Sequence, residues 1–456
     1  MKHQPHHALP LCILFFCCCR FAQPQTCTPA PSGLVSWWTG DTNENDIIGG
    51  NNPQAVNAVT LVPGEALSGL TFGTDGYVEI PAASNLANQQ FTWAALVRPD
   101  GPGPNNDAFG STIVEQFVDG TNAVVDLLWR ATDGRFLFIF GNEYTELISS
   151  TDAFAAGNFY LVTATYDGAT FQLFVNGLPE GSYSSVKTVG YSSQPWTIGS
   201  TGPVFIPLGY ARTWNGVIDE VQAYNRALSL SEIQAIYGAG TAGVCKGLTF
   251  SPTTLKFPRQ TIGTTSPAQT VTATNAFPLP VTVKKIATTG DFAQTNTCPA
   301  PPASLASGAA CTASVTFTPT ATGTRTGILA FVDSAPASPQ RVTLIGAATD
   351  VSLSVTRLYY GSHTVGTTSA PRRVTVTNVG SVVVNFTGSG IVIAGADPAD
   401  YVISANTCGP SLAAGASCTV SVRFMPTATG TRSATLQFND DGGASPQSVA
   451  LIGTGT

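Results

Sequence analysis

Few side chains in this sequence could carry out acid–base or nucleophilic chemistry. The chain has four histidines, and three of them, His3, His6 and His7, lie ahead of an apolar N-terminal run. A catalytic triad or a zinc site would therefore depend on His363. We interpret His363 as an ordinary surface or edge histidine, because the sequence lacks His-Glu-x-x-His, Gly-x-Ser-x-Gly and phosphate-binding motifs.

Paired carboxylates are the other route to chemistry, since glycosidases use two acids that face one cleft. Glu143 and Glu146 have an odd spacing and lie beside a Gly-Asn turn. Asp219 and Glu220 are neighbours and would point to opposite faces of a strand. Neither pair is typical of catalysis. We therefore predict that the protein is not an enzyme, with a glycan-processing enzyme as an alternative.

Aromatic side chains suggest binding instead, because sugar rings stack on aromatic rings. All six tryptophans lie before residue 215. The alternative for each aromatic residue is an ordinary position in the core of a β-sandwich. The candidates for a ligand platform are Trp129, Arg130, Tyr144, Trp196 and Tyr210.

Oxygen donors in the opening loop and on the last strand of the first domain suggest a structural calcium site. Calcium is bound by six to eight oxygens, several of them from backbone carbonyls. The predicted side-chain ligands are Asp41 and Asp219, with Asp46 and Asn51 as further candidates. The alternative is that these residues are solvated turn residues.

The N-terminus resembles an export signal. Residues 9–19 form an apolar run that is too short to span a membrane, and we predict removal of residues 1–22. The cysteines at 17–19 leave a lipoprotein signal open as an alternative. The net charge of −7 argues against nucleic-acid or anionic-membrane partners. We expect a secreted or cell-surface protein without a transmembrane segment.

Six cysteines follow the apolar run, and their positions predict three disulfides. The pairs are Cys27 with Cys245, Cys298 with Cys311, and Cys408 with Cys418. The last two pairs recur in register, which favours bonds within each of two repeated domains. Free buried thiols are the alternative.

The C-terminal part of the chain is a tandem repeat. The segment Pro-Thr-Ala-Thr-Gly-Thr-Arg occurs at 319–325 and again at 426–432. Shorter matches surround it, such as Gly-Thr-Thr-Ser at 263–266 and 366–369. A repeated domain without a distinctive polar cluster is typical of a spacer or a binding module.

The chain reads as all-β throughout. Short apolar runs are separated by turn signals such as Thr-Asp-Gly at 132–134, Asp-Gly at 167–168 and Asn-Gly at 176–177, which predict hairpins. One short helix is predicted at 229–236, where Ser229 and Glu232 have capping-box spacing.

Three segments of the first domain resemble a known family: Gly-Leu-Val-Ser-Trp-Trp-Thr-Gly-Asp at 33–41, Phe-Val-Asn-Gly at 174–177, and Trp-Asn-Gly-Val-Ile-Asp-Glu-Val-Gln-Ala-Tyr at 214–224. The family is the laminin-G-like, concanavalin-type jelly roll. The resemblance implies two packed antiparallel sheets over residues 27–246 and a domain whose relatives bind glycans or proteins, some with calcium.

Residues 247–349 and 350–456 resemble another family. The Pro-Thr-Ala-Thr-Gly-Thr segment and the closing Leu-Ile-Gly are similar to the abnormal-spindle/hydin type of immunoglobulin-like domain, called choice-of-anchor D in bacteria. Together, these interpretations predict a recognition or adhesion protein whose jelly roll binds an extracellular glycan or protein and whose repeats act as spacers. A matrix component without a specific ligand is the alternative.

Overall fold

The computed structural model describes residues 27–104, 110–119, 122–142, 145–203, 212–380 and 382–456. The predicted signal segment, residues 1–22, lies outside these ranges. The chain divides into two compact units between Val244 and Cys245. Both units are built of β-strands, as predicted, and the described residues include one α-helix. Within the described ranges, no helix is long and apolar enough to cross a membrane.

In its described residues, the first unit is a jelly-roll sandwich of thirteen strands and the helix. Its elements are β1 (Leu34–Trp38), β2 (Ala55–Pro63), β3 (Ser68–Ile80), β4 (Phe91–Pro99), β5 (Ser111–Asp119), β6 (Asn122–Arg130), β7 (Arg135–Ile139), β8 (Leu147–Ser149), β9 (Tyr160–Tyr166), β10 (Thr170–Val175), β11 (Leu178–Ser184), β12 (Trp196–Ile198), β13 (Gly216–Tyr224) and α1 (Leu230–Gly238).

The strands follow the order β11-β10-β9-β4-β13-β3-β12-β5-β6-β7-β8, with β1 also paired to β13 and β2 to β3. The long strand β3 connects the two layers of the sandwich. Its first half pairs with β13 at Leu70, and its second half pairs with β12 from Val78 to Ile80. The bend between these halves carries Asp75 at φ 57°, a left-handed conformation that Asp tolerates better than most residues.

Two local predictions are confirmed. Asn176 and Gly177 form the two-residue turn between β10 and β11, and both have positive φ, 53° and 76°, as the favoured hairpin turn requires. Ser229 caps helix α1: its side chain accepts from the backbone of Glu232, whose carboxylate accepts from the backbone of Ser229.

The core of the jelly roll is rich in aromatic rings. Trp93 stacks on Trp38 at a centroid distance of 6.0 Å and on Trp196 at 4.4 Å. Each of the six tryptophans exposes 3% of its surface or less. These large side chains fill the space between the layers, and their burial is a dominant source of stability.

The second unit contains the two repeats. The strands of the first repeat are β14 (Leu248–Ser251), β15 (Thr254–Lys256), β16 (Gln260–Thr261), β17 (Gln269–Asn275), β18 (Val283–Thr288), β19 (Phe292–Asn296), β20 (Ala310–Phe317), β21 (Gly323–Asp333) and β22 (Gln340–Thr349). Those of the second are β23 (Val351–Leu353), β24 (Arg357–His363), β25 (Arg372–Asn378), β26 (Val384–Ala394), β27 (Tyr401–Asn406), β28 (Ser411–Leu412), β29 (Ser417–Phe424), β30 (Gly430–Asp440) and β31 (Gln447–Gly455).

The repeats have the same topology. One sheet has the order β14-β17-β20-β19 in the first repeat and β23-β25-β29-β27 in the second. The other sheet contains β15-β22-β21-β18 and β24-β31-β30-β26, and in both repeats its first pair is parallel. The sequence tandem is therefore a tandem of two matching sandwiches, with Asp350 as the single residue between β22 and β23.

The predicted disulfides within the repeats are confirmed. Cys298 bonds to Cys311 and Cys408 bonds to Cys418. Each bond attaches the segment after an edge strand to the next strand of the same sheet. Cys27 and Cys245 are also disulfide-bonded, and the neighbouring residues Thr28 and Val244 form a β-bridge.

Candidate functional site

A row of polar side chains crosses the jelly roll in direct register. Glu79 on β3 lies opposite Thr197 on β12, which lies opposite Glu115 on β5. Glu115 lies opposite Asp126 on β6. Directly opposed residues on adjacent strands share one face of a sheet, so the three acids lie on the same face. All three are buried, with exposures of 7% for Glu79, 2% for Glu115 and 0% for Asp126.

Glu115 and Asp126 differ in their electrostatic surroundings. Asp126 pairs with the buried Arg212 at 3.1 Å. Burial, followed by the charge of Asp126, raises the pKa of Glu115 well above its ordinary value, although Arg212 and hydrogen bonds from two threonines act in the opposite direction. A buried carboxyl group with a raised pKa therefore lies opposite an aspartate paired with a cation, and both groups are enclosed by protein.

The sequence interpretation missed this acid row. Glu115 lies in the middle of the mixed strand Ser111–Asp119, and Asp126 interrupts the otherwise mostly apolar strand Asn122–Arg130. A charged residue in the middle of such a strand is the signal that could have been used, because an ionisable side chain is rarely fully buried without a partner.

The predicted aromatic platform is not formed by its two tryptophans. Trp129 donates from Nε1 to the carbonyl of Phe154 at 3.3 Å and is buried, and Trp196 is stacked in the core. Arg130 forms an ion pair with Asp133 at 2.6 Å. The prediction that Trp129 and Trp196 present a sugar-binding surface is therefore wrong. Tyr144 and Tyr210 lie outside the described residues.

Asp46 organises its own loop. Its two carboxylate oxygens accept backbone N–H groups from Trp37, Ile48, Gly49 and Asn51 at 2.9–3.0 Å. These four donors occupy the lone pairs that a cation would need. The amide nitrogen of Asn51 donates to the hydroxyl of Ser36 at 2.6 Å, a bond that does not involve the amide oxygen that calcium would use. Asp46 does not fit the role of a calcium ligand, and calcium binding by Asn51 stays a prediction.

Asp41 and Asp219 are brought to one turn, as the first and last strands are neighbours. Asp219 accepts the N–H of Ala66 at 3.1 Å, and Asp41 accepts that of Ser68 at a long 3.5 Å. Among the described residues, no group of three or more His, Cys, Asp or Glu side chains is placed to hold a metal ion. Calcium binding by Asp41 and Asp219 stays a prediction.

A cavity of about 360 Å³ lies beside helix α1, and we call it the α1 cavity. It is formed where β4, β9 and β13 meet the helix and the turn before β3. Its lining residues are Glu65, Ala66, Leu96, Phe159, Leu161, Asn176, Glu220, Gln222, Ile236, Tyr237, Gly238, Gly240, Gly243 and Val244. The volume lies in the range of roughly 300–1,000 Å³ that is usual for small-ligand sites.

The polar groups of the α1 cavity are fixed in position. Glu220 lies at a bulge of β13 with φ 56°, and its carboxylate accepts from Trp37 Nε1 at 2.7 Å. Gln222 accepts the hydroxyl of Tyr224 at 2.7 Å. Tyr237 is 48% exposed. Carboxylate, amide and aromatic groups are the types that bind sugar hydroxyls and sugar C–H faces.

Residues 72–234 match the sequence pattern of the concanavalin A-like lectin/glucanases superfamily. This part of the chain is a concanavalin A-like jelly-roll domain. It contains the acid row and six of the fourteen residues that line the α1 cavity, whereas Glu65 and Tyr237 lie outside it. No curated protein shows significant sequence similarity to the chain.

Several solved structures are similar to parts of the chain. Domain 4 of the extracellular arabinanase AbnA from Geobacillus stearothermophilus, solved with arabinotriose, is 14% identical over 44% of this chain and 96% of its own, with a TM-score of 0.37. Trypanosoma rangeli sialidase is 21% identical over 47% of this chain and 35% of its own, with a TM-score of 0.36. This chain thus spans about a third of the sialidase.

The binding domain of Paraclostridial Mosquitocidal Protein 1 is also similar. It is 13% identical over 68% of this chain and 69% of its own length, with a TM-score of 0.36.

Proposed function

We propose that this is an exported recognition protein in which the concanavalin A-like domain binds an extracellular glycan without altering it. The observation that carries the proposal is the match of residues 72–234 to a superfamily of lectins and glucanases. Export is supported by the apolar run at 9–19 and by the disulfide in each repeat, since disulfides persist in oxidising compartments.

The α1 cavity is the proposed binding site. It offers acceptors at Glu65 and Glu220, amide groups at Asn176 and Gln222, and an exposed ring at Tyr237. The sugar hydroxyls would donate to the acids, and a C–H face of the sugar would pack on the tyrosine ring. The two repeats would act as spacers, because one residue joins their sandwiches and fixes their distance.

A glycan array probed with the full chain tests the proposal. We expect binding to a restricted set of glycans. Tyr237→Ala removes a ring and is expected to weaken that binding about three- to tenfold, while Tyr359→Ala, on an equally exposed tyrosine of the second repeat, leaves it unchanged. An array without any bound glycan would favour the alternative of a matrix component without a specific ligand.

A glycan-processing enzyme is the second candidate, favoured by the direct opposition of Glu115 and Asp126. Glycosidases usually use two carboxyl groups that lie close together and differ in pKa, and the pKa of Glu115 is raised. The test is release of reducing ends from the glycans that bind on the array. Cleavage by the wild type that is abolished in Glu115→Gln would replace the binding proposal with this one.

A further inference from the structure

A second cavity of the jelly roll, distinct from the α1 cavity, is formed around an ion pair. Its volume is about 220 Å³, below the roughly 300–1,000 Å³ of sites for drug-sized ligands, so it suits a single ring. We call it the Lys187 cavity. Its lining residues are Val118, Asn122, Ala123, Val124, Phe140, Gly141, Glu146, Phe171, Lys187, Thr188, Val189 and Gly190.

The ion pair joins Lys187 Nζ and Glu146 Oε2 at 2.8 Å, and both side chains are about one-third exposed. The ammonium group also donates to the carbonyl of Phe140 at 3.1 Å. The same carboxylate oxygen accepts the N–H of Asn142 at 2.9 Å. The hydrogen bond from Lys187 lowers the pKa of Glu146, so the carboxylate is ionised at neutral pH.

The backbone around the pair is arranged to hold it. The hydroxyl of the buried Tyr166 accepts the N–H of Lys187 at 2.8 Å and donates to its carbonyl at 2.9 Å. A Cβ at Gly141 would lie 1.8 Å from Glu146 Oε2 and 2.5 Å from Lys187 Nζ. With any other residue at 141, the two charged groups would have to shift from these positions. A pair fixed at both ends needs little reorganisation when it binds a ligand.

Aromatic rings form one wall of the cavity. Phe140 stacks on Phe171 at a centroid distance of 4.0 Å, with 9° between the ring planes, and Phe171 stacks on Tyr166 at 3.8 Å. Among the described lining residues, the charged ones are Lys187 and Glu146, and their charges cancel. A neutral ligand is therefore favoured over an anion or a cation.

We propose that the Lys187 cavity binds one pyranose ring through two adjacent hydroxyl groups. The ammonium group has three donors, of which two are used by Phe140 and Glu146, and the carboxylate has a second oxygen. One hydroxyl of the sugar accepts from Lys187 and its neighbour donates to Glu146. Such charge-assisted hydrogen bonds are stronger than neutral ones, and they carry the binding, because the rings of Phe140 and Phe171 are buried and stacked on other rings.

This inference rests on the proposed function, since it assumes a glycan ligand, but it assigns a separate site. The probes are the methyl glycosides of galactose, mannose and glucose at millimolar concentration, titrated against the full chain by ligand-observed NMR. We expect binding of at least one of them. Lys187→Met is expected to weaken it by at least about tenfold, and Glu146→Gln by less, because the amide oxygen can still accept.

Control variants distinguish binding at the Lys187 cavity from binding at the α1 cavity. Lys256→Met, at an exposed lysine of the first repeat, should leave binding unchanged, and thermal unfolding checks that each variant is folded. Binding that survives Lys187→Met but is lost in Tyr237→Ala overturns the inference and keeps the proposed function, because the sugar would then occupy the α1 cavity. A wild type that binds none of the three glycosides also overturns it, and the glycan array decides the proposed function independently.

Discussion

Arg325 Nε lies 2.6 Å from Oδ2 of Asp291, and the hydroxyl of Thr320 donates to the other oxygen of the same carboxylate at 2.7 Å. Both donors belong to the repeated Pro-Thr-Ala-Thr-Gly-Thr-Arg segment, and Asp291 immediately precedes β19. The segment therefore attaches the loop between β20 and β21 to the start of the edge strand.

The second repeat has the same arrangement. The backbone N–H and the hydroxyl of Thr427 donate to Asp400 Oδ1 at 3.0 and 2.6 Å, and Arg432 Nε donates to Oδ2. Burial acts to raise the pKa of Asp400, but these hydrogen bonds outweigh it, so the net pKa lies below the ordinary value. The repeated segment thus has a structural role, because it binds the aspartate that precedes the edge strand in each repeat.

The first prediction concerns the hydrogen bonds between the repeated segment and Asp400. Asp400→Ala removes all of these bonds, and we expect the free energy of unfolding of the second repeat to fall by about 2–3 kcal/mol, because bonds to charged groups contribute most. Thr427→Val should cost about 1–2 kcal/mol. Thr429→Val, two residues away on the same exposed segment, should stay within about 0.5 kcal/mol. Denaturant unfolding measures all three, and equal effects at Thr427 and Thr429 would contradict the prediction.

The second prediction compares two arginine–aspartate pairs of the jelly roll. Arg212→Met leaves Asp126 buried and without its cation, which should cost about 3–5 kcal/mol. Arg130→Met breaks a pair that is shorter, 2.6 against 3.1 Å, but partly exposed, and should cost less than about 1 kcal/mol. Thermal unfolding of the two variants shows which one loses more stability. A larger loss of stability for Arg130→Met would show that burial does not decide how much each pair contributes.

Local features of this fold could be predicted from the sequence, whereas the acid row could not. Asn176–Gly177 and the Ser229–Glu232 cap depend on residues within one turn. The opposition of Glu115 and Asp126 depends on strand register with bulges at Thr112/Val114 and Gln116/Phe117, which no short pattern encodes. The burial of Trp129 and Trp196 was mispredicted for a related reason. The alternation of apolar and polar residues along a strand does not show which face of the sheet is covered by other parts of the domain.

The third prediction concerns pH. Because the pKa of Glu115 is raised above its ordinary value of 4.5, the folded state binds a proton that the unfolded state releases. The wild type should therefore lose stability as pH rises from about 4.5 towards the folded pKa. Glu115→Gln has no such proton, so its stability relative to the wild type should increase over this interval. Unfolding midpoints at several pH values measure the difference, and a decrease would contradict the assignment.

The fourth prediction concerns calcium at Asp41 and Asp219. A bound ion would add stability that increases with its concentration, so calcium should raise the unfolding midpoint of the jelly roll relative to chelator. Asp219→Ala should abolish the rise, whereas Asp167→Ala, in the turn between β9 and β10, should keep it. If calcium and chelator give the same midpoint in the wild type, these two acids hold no calcium.

The last prediction concerns the joint between the repeats. Gln447 Nε2 donates to Thr349 Oγ1 at 2.7 Å, and the carbonyl of Gly442 accepts the N–H of Asp350 at 2.9 Å. Gln447 and Thr349 are buried, and Arg259 adds a bond to the carbonyl of Pro446 at 3.1 Å. With one residue between β22 and β23, these contacts should hold the repeats in one orientation, as a spacer requires.

Spin labels at the exposed positions Ser307 and Ser389 test the joint. The wild type should give a narrow distribution of distances between the two repeats. Gln447→Ala removes the bond to Thr349 and leaves a buried hydroxyl with fewer partners, so the distribution should broaden. Gln437→Ala, within β30 of the second repeat, is the matched control and should leave it narrow. A wild-type distribution as broad as that of Gln447→Ala would mean that the repeats move independently and that the contacts at Thr349 do not set their orientation.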